Sequence, residues 1–393
     1  MMFSLRSIQA ALREQGLDGW LLYDFRNSNP LARRVLGLDE QPAGSRRWMY
    51  FIPAQGEPRK LVHRIEPHIL DPLPGEATVY LRWEEFESGV GQLVSGSRQI
   101  AMEYAPRNAN PYISRVDAGT VELVRSYGIT VVSSGDLVQQ FEALWDEEQW
   151  QLHLQAGKVT DAAFFVAWNY ITEQIRSSGE TTERAVQLRI LAHFEQHHVV
   201  TYHPPIVAVN AHSGDPHYET GTAPIRPGDL VLIDLWGKVD APRAVYSDLT
   251  RMAYVGPEVP EHYVRLFEIV VQARDAAIAR VRQAFAHQEP LAGWQVDAAA
   301  RQVIAQAGYA HAFVHRTGHS IGQEVHGNGA HMDNLETHEE RRVLPRACFS
   351  IEPGIYLPEF GLRSEVNVFI DPQGQVHVTA GEIQQHIQRI PLR

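Results

Sequence analysis

Cys348 is the only cysteine in this chain of 393 residues. No intrachain disulfide can form, which fits a reducing compartment, and in A-C-F-S-I-E the side chain reads as a small buried hydrophobe. Long apolar runs are missing as well. No stretch approaches the ~18 apolar residues of a membrane-crossing helix, and the first sixteen residues lack the apolar core of a secretory leader. Clustered positive charge is equally scarce. Arg33-Arg34 and Arg46-Arg47 are isolated pairs in a chain of formal charge −12, which excludes a nucleic-acid face. There is no internal repeat, low-complexity tract or heptad array. What remains is an ordinary globular composition, 44% apolar and 21% charged, long enough for two or three domains. The expectation is a cytoplasmic protein with neither membrane nor nucleic acid as partner.

Leu5, Ile8 and Leu12 share a helical face that Gly16 ends. Short β-prone runs follow at 20–23, 49–52, 60–63, 78–81, 99–104 and 130–132, with helical patterns at 115–127 and 136–144. This alternation predicts an α/β N-terminal domain over 1–148. A second domain, 149–393, opens on an amphipathic helix through Leu152, Ala156, Val159, Ala163, Val166 and Tyr170, closed by Ser177-Ser178-Gly179. A helix at 182–196, strands at 206–209, 230–235 and 249–255, helices at 260–286 and 295–307, and strands at 313–314, 348–351, 366–370 and 376–379 complete it. That order predicts an α+β fold, with helices covering a curved antiparallel sheet.

Residues 314–327 read V-H-R-T-G-H-S-I-G-Q-E-V-H-G, three histidines (His315, His319, His326) among three glycines. The glycines argue against a helix, so His315 and His319 are not read as a helical zinc pair. Four carboxylates lie in apolar, β-prone surroundings: Asp234 in L-V-L-I-D-L, Asp248 in Y-S-D-L-T-R, Glu352 in F-S-I-E-P-G and Glu365 in G-L-R-S-E-V. Burying them is costly unless something cationic meets them. Asp234 is expected to close its strand, and a hairpin through Lys238, Asp240 and Arg243 returns Asp248 beside it, with Asp240 a rival for that position. Side by side, two carboxylates share a proton, a penalty that a dication removes. One imidazole and four carboxylates without a thiolate suit two divalent ions, Mn²⁺ or Co²⁺ as well as Zn²⁺. Such a pair is a standard means of activating water for hydrolysis. His63, His68, His197, His198, His203 and His212 are expected to be structural or at the surface.

These positions, in this order, resemble the metallopeptidase family that includes aminopeptidase P, prolidase and methionine aminopeptidase, the pita-bread fold. Residues 149–393 are similar to its catalytic domain. Residues 1–148 resemble the smaller domain of the prolidase, aminopeptidase P and creatinase branch, which methionine aminopeptidase lacks. The resemblance implies that Asp234 chelates one metal, that Asp248 and Glu365 bridge both, and that His319 and Glu352 complete the second. It makes Glu352 the proton shuttle and His326 the group that stabilises the tetrahedral intermediate. His217 would contact the scissile carbonyl or the proline, and His315 would line the proline side. Arg363 would support the carboxylates or meet a substrate carboxylate. One departure is the Asp234–Asp248 separation, a few residues longer than usual in the family. The implied protein is a homodimeric Xaa-Pro dipeptidase (prolidase) with two metals per subunit. The alternative is an aminopeptidase P acting on longer Xaa-Pro peptides. A catalytically silent peptide-binding module, like the metal-free creatinase, predicts damaged ligands, and all five are present. Organophosphate hydrolysis would be a side reaction of the same residues.

Overall fold

A computed structural model describes residues 3–38, 41–379 and 381–391. The chain divides into two compact units, Met1–Ala143 and Leu144–Arg393.

The first unit is a six-stranded mixed sheet between helices. Its elements are α1 (Leu5–Glu14), β1 (Gly19–Asp24), α2 (Pro30–Val35), β2 (Trp48–Pro53), β3 (Arg59–His63), β4 (Glu76–Tyr80), α3 (Trp83–Leu93), β5 (Gln99–Met102), α4 (Ala118–Ser126), β6 (Thr130–Ser133) and α5 (Gly135–Val138). The strand order is β4-β3-β2-β1-β5-β6. Both faces are covered, so the central strands read as continuous apolar runs. Trp20, Leu22, Trp48, Tyr50 and Ile52 enter one core, while Leu21, Tyr23, Met49 and Phe51 enter the other. The pattern expected at 136–144 is only the single turn of α5, followed by a π turn over Gln139–Ala143.

The second unit begins with α6 (Glu147–Ser178), capped by Asp146, whose side chain accepts from the Gln149 amide, and ended by Gly179 in the left-handed region. There follow β7 (Thr181–Thr182), α7 (Glu183–Gln196), β8 (Val199–Val200), β9 (Ile206–Val209), β10 (Pro224–Ile225), β11 (Leu230–Val239) and β12 (Ser247–Val255). The chain closes with α8 (Glu261–Ala286), α9 (Gly293–Gln306), β13 (Cys348–Ile351), β14 (Gly354–Tyr356), β15 (Gly361–Arg363), β16 (Val366–Ile370), β17 (Val376–Thr379) and β18 (Gln388–Ile390). Among the described residues no helix is long and apolar enough to cross a membrane.

The hairpin β11–β12 is the spine of this unit. Its odd positions, Val231, Ile233, Leu235, Leu249, Ala253 and Val255, pack with Phe164, Ile171 and Ile190 of α6 and α7. Its even positions, Leu230, Leu232, Trp236 and Met252, join the core of α8, α9 and β13–β16. Asp234, Asp248 and Thr250 share that even face by the period of two. Two expectations are corrected here. β11 runs on to Val239, so Asp234 sits in mid-strand and not at its end. No strand forms at 313–314, where a 3-10 turn (Ala310–Ala312) leads into an extended segment with Val314 exposed.

Candidate metal centre

The hairpin register places Asp234 opposite Thr250 and Asp248 opposite Trp236. The two aspartates are therefore diagonal neighbours on one face. A second hairpin faces them, with β13 antiparallel to β16. Asn367 joins the two sheets: its Oδ1 accepts from the Asp248 amide (3.0 Å) and its Nδ2 donates to the Asp248 carbonyl (2.8 Å). That side chain acts as a surrogate backbone and brings Glu365, two residues earlier, onto the Asp248 side. The Glu365 amide donates to the Thr250 carbonyl at 3.3 Å.

His319 arrives on an irregular extended segment beside β13. Its amide donates to Ser350 Oγ (2.9 Å) and the Ser350 amide donates to its carbonyl (2.8 Å). A Cβ on Gly318 would lie 1.9 Å from the Ser350 carbonyl oxygen, so only glycine admits this approach. His319 Nδ1 faces the Ser320 carbonyl at 3.1 Å, which makes Nδ1 the protonated nitrogen and leaves the lone pair on Nε2. That Nε2 lies 3.4 Å from both Asp248 Oδ2 and Glu352 Oε1. Burial, then the charge of His326 and Arg316, holds the ring far below its usual range, so it is a neutral donor and not half of an ion pair.

Carboxylates of Asp248, Glu352 and Glu365 surround this nitrogen, and Asp234 acts on Asp248 and Glu352 through its charge. Donor atoms of Asp248, His319 and Glu365 lie within 4.8 Å of one another. Burial first, then the mutual repulsion of Asp234, Asp248 and Glu352, raises Asp248 and Glu365 well above the carboxylate range. Burial also raises Asp234, against the opposing charge of Arg363. Glu352 is lifted to about 7, chiefly by burial and partly by Asp234, with Arg363 and Arg316 opposing. Among the described residues, Asp248 Oδ1 and Glu365 Oε1 are buried with no hydrogen-bond partner. Two orphaned carboxylate oxygens in a cluster of four acids are what divalent cations satisfy, so this donor set fits them.

Arg363 is turned inward. Its guanidinium donates to Asp234 Oδ2, to Thr250 Oγ1 (2.9 Å) and to Tyr356 Oη (3.3 Å), and Thr250 Oγ1 donates to Glu365 Oε2 (2.8 Å). At 4% exposure it is placed to support carboxylates rather than to meet a substrate. His315 is hydrogen-bonded to Tyr356 Oη through Nε2 (2.7 Å), at the far end of the same chain of contacts. The His326 ring packs edge-on against His319, centroids 4.3 Å apart. Though exposed on one side, it is drawn down to about 4 by desolvation, then by Arg316 and His217. His217 is exposed, and its charge bears on both Asp234 and His326. The nine sequence-predicted site residues are thus linked to one another by contacts or by charge. Asp240 is not among them; it is exposed in the hairpin loop, its amide on the His198 carbonyl.

Other residues here carried no sequence signal. Trp236 stands beside Asp234 and Asp248 on the even face, and the rings of Tyr202 and His203 lie 6.1 and 6.2 Å from it. Tyr202 is 68% exposed, and the charges of Asp248 and Asp234 help burial to raise its hydroxyl pKa. Arg316, buried between His315 and Thr317, bears electrostatically on His319, His326 and Glu352.

The pattern of metallopeptidase family M24 matches residues 151–372, more than half of the chain. This chain belongs to that family. Over 174 residues it is 36% identical to the probable dipeptidase PepE of Mycobacterium tuberculosis, covering 44% of this chain and 43% of the other. Over 214 residues it is 32% identical to an Xaa-Pro dipeptidase of Lactobacillus delbrueckii subsp. lactis, covering 54% and 53%. The match thus spans about half the length of these curated relatives. Among solved structures, dipeptidase PepE from Mycobacterium ulcerans aligns over 98% of this chain and 97% of its own, with TM-score 0.75 at 23% identity. The prolidase from Pyrococcus horikoshii covers 98% and 99%, with TM-score 0.65 at 20% identity. The fold is the family's pita-bread fold.

Proposed function

We propose that this M24 protein is a metal-dependent Xaa-Pro dipeptidase, and that Asp234, Asp248, His319, Glu352 and Glu365 hold two divalent ions, Mn²⁺ in first place. The observation that carries the reading is the pair of orphaned oxygens on Asp248 and Glu365, whose donor atoms cluster with His319, with Glu352 at 3.4 Å from the same imidazole. The similarity to an Xaa-Pro dipeptidase supports the substrate class. A tertiary Xaa-Pro amide has no N–H and a fixed proline φ, which is why it calls for a dedicated site.

The ions would supply an activated water and polarise the scissile carbonyl. The protein's own residues supply the rest. Glu352 takes a proton at its carboxylate and returns one to the departing proline nitrogen. His326, neutral and beside His319, donates to the oxygen that gains charge at the attacked carbon. His217, whose charge bears on Asp234 and His326, orients the carbonyl. Arg363 favours the charged form of Asp234 against burial and, through Thr250, fixes Glu365. His315 and Tyr356 close the proline side. On this reading the protein is a cytoplasmic homodimer acting on small peptides.

The test is a rate comparison on Mn²⁺-reconstituted protein, with Leu-Pro set against the same sequence extended to a tripeptide. Cleavage of the dipeptide alone, lost to a chelator and restored by Mn²⁺, is expected. Equal or faster cleavage of the tripeptide makes the protein an aminopeptidase P. Failure on both, with two metals bound, ends the Xaa-Pro reading.

A further inference from the structure

We propose that Glu183 is a positioning residue that holds the His217 segment over the metal centre, an inference that rests on His217 facing substrate as read above. Glu183 opens α7 and is fully buried. Its Oε1 accepts from the Val209 amide (2.9 Å) and from His212 Nδ1 (2.8 Å), and its Oε2 accepts from the Tyr218 hydroxyl (2.8 Å). Its own amide donates to the Ala223 carbonyl at 3.0 Å. The Tyr218 oxygen in turn accepts from the Gly221 amide (3.2 Å), and the His212 ring stacks on Tyr218 with centroids 4.4 Å apart. One side chain therefore gathers the end of β9, the turn at 210–214 and the loop just past His217.

The other flank of this segment is fixed by β15, the strand that carries Arg363. Ser213 Oγ accepts from the Gly361 amide (2.9 Å) and donates to its carbonyl (3.1 Å). A Cβ at Gly361 would fall 1.9 Å from the Ser213 carbonyl oxygen, so the two backbones are in direct contact. His217 is exposed, yet it is carried on a segment clamped from both sides. A buried carboxylate is a costly way to close a loop. Here its three incoming donors all come from the stretch that bears His217, and placement of that imidazole is what the cost secures.

The experiment is a double-mutant cycle on metal-reconstituted full-length protein. Glu183→Gln replaces one of the two accepting oxygens with an N–H₂ group and removes the charge, so at least one of the three donors loses its acceptor. It is expected to lower kcat about tenfold with KM within about threefold and metal content unchanged. In a His217→Ala background the same change should cost less than about twofold. An undiminished loss in that background, or an unchanged kcat in the parent, overturns the proposal. Tyr218→Phe removes one donor without touching the charge, and its smaller loss should vanish in the same background; a loss that persists there also overturns it. A second readout needs no turnover. Cys348 is buried, so a nitroxide on the His217→Cys variant reports that position alone. Its immobilised spectrum should sharpen when Glu183→Gln is added, and an identical spectrum in both backgrounds refutes the clamp. A metal-loaded parent that cleaves no Xaa-Pro peptide, with the label still released by Glu183→Gln, removes the functional reading and upholds the clamp.

Discussion

His153 shows how far a buried side chain can be held from its solution chemistry. Its Nδ1 faces the Tyr246 carbonyl (2.8 Å), its Nε2 the Thr379 hydroxyl (2.6 Å), and burial depresses it to about 4. The folded protein keeps this ring neutral, while the unfolded chain protonates it near 6.5. Its contribution is complete above 6.5 and is lost as pH falls toward 4, about 2 kcal/mol by pH 5. In urea titrations of chelated protein, the stability difference between the parent and His153→Gln should shrink by about 2 kcal/mol from pH 7 to pH 5. At the metal centre, Glu352→Gln should cut kcat by about 10²–10⁴-fold with the fold intact; retained turnover removes it as proton carrier. The ligand residues were legible because an acid inside an apolar run is conspicuous. Thr250, Asn367 and Trp236 were not, since a hydroxyl, amide or indole in a strand is unremarkable until cross-strand register shows what it faces.

At the scale of elements, the site depends on backbones meeting more closely than side chains allow. Gly318→Ala would set a methyl against the Ser350 carbonyl. It is expected to destabilise the protein by about 2–4 kcal/mol in denaturant unfolding and to weaken metal affinity by displacing His319. A neutral result would mean that β13 can retreat. The long helices and the β11–β12 hairpin were visible from periodicity. The helix α3 was not: its sequence, WEEFESGVGQL, holds two glycines, and Gly89 lets it close onto Leu61. The three-residue strands β14 and β15 read as turns, because Pro353-Gly354 and Phe360-Gly361 carry turn chemistry and so short a run shows no alternation.

For the whole molecule, the raised carboxylates tie stability to protons and cations together. Asp248 and Glu365 keep their protons in the folded chain at a pH where the unfolded chain has released them. Chelated protein should therefore lose stability as pH rises above the ordinary carboxylate range. Mn²⁺ should reverse this trend, so the metal-induced rise in Tm grows with pH and binding releases protons. Calorimetry in two buffers of different ionisation enthalpy checks the release; equal heats would contradict it. The five ligands, legible singly, also have a consequence in time. From Asp234 to Glu365 they span about a third of the chain. They sit on the β11–β12 hairpin, the His319 segment and the ends of β13 and β16, with Asn367 joining the two sheets. No local segment gathers enough of them to capture an ion, so contacts between distant parts of the chain must form first. Cations should leave the refolding rate nearly untouched and act almost wholly by slowing unfolding, which makes the metal a lock fitted to a finished door.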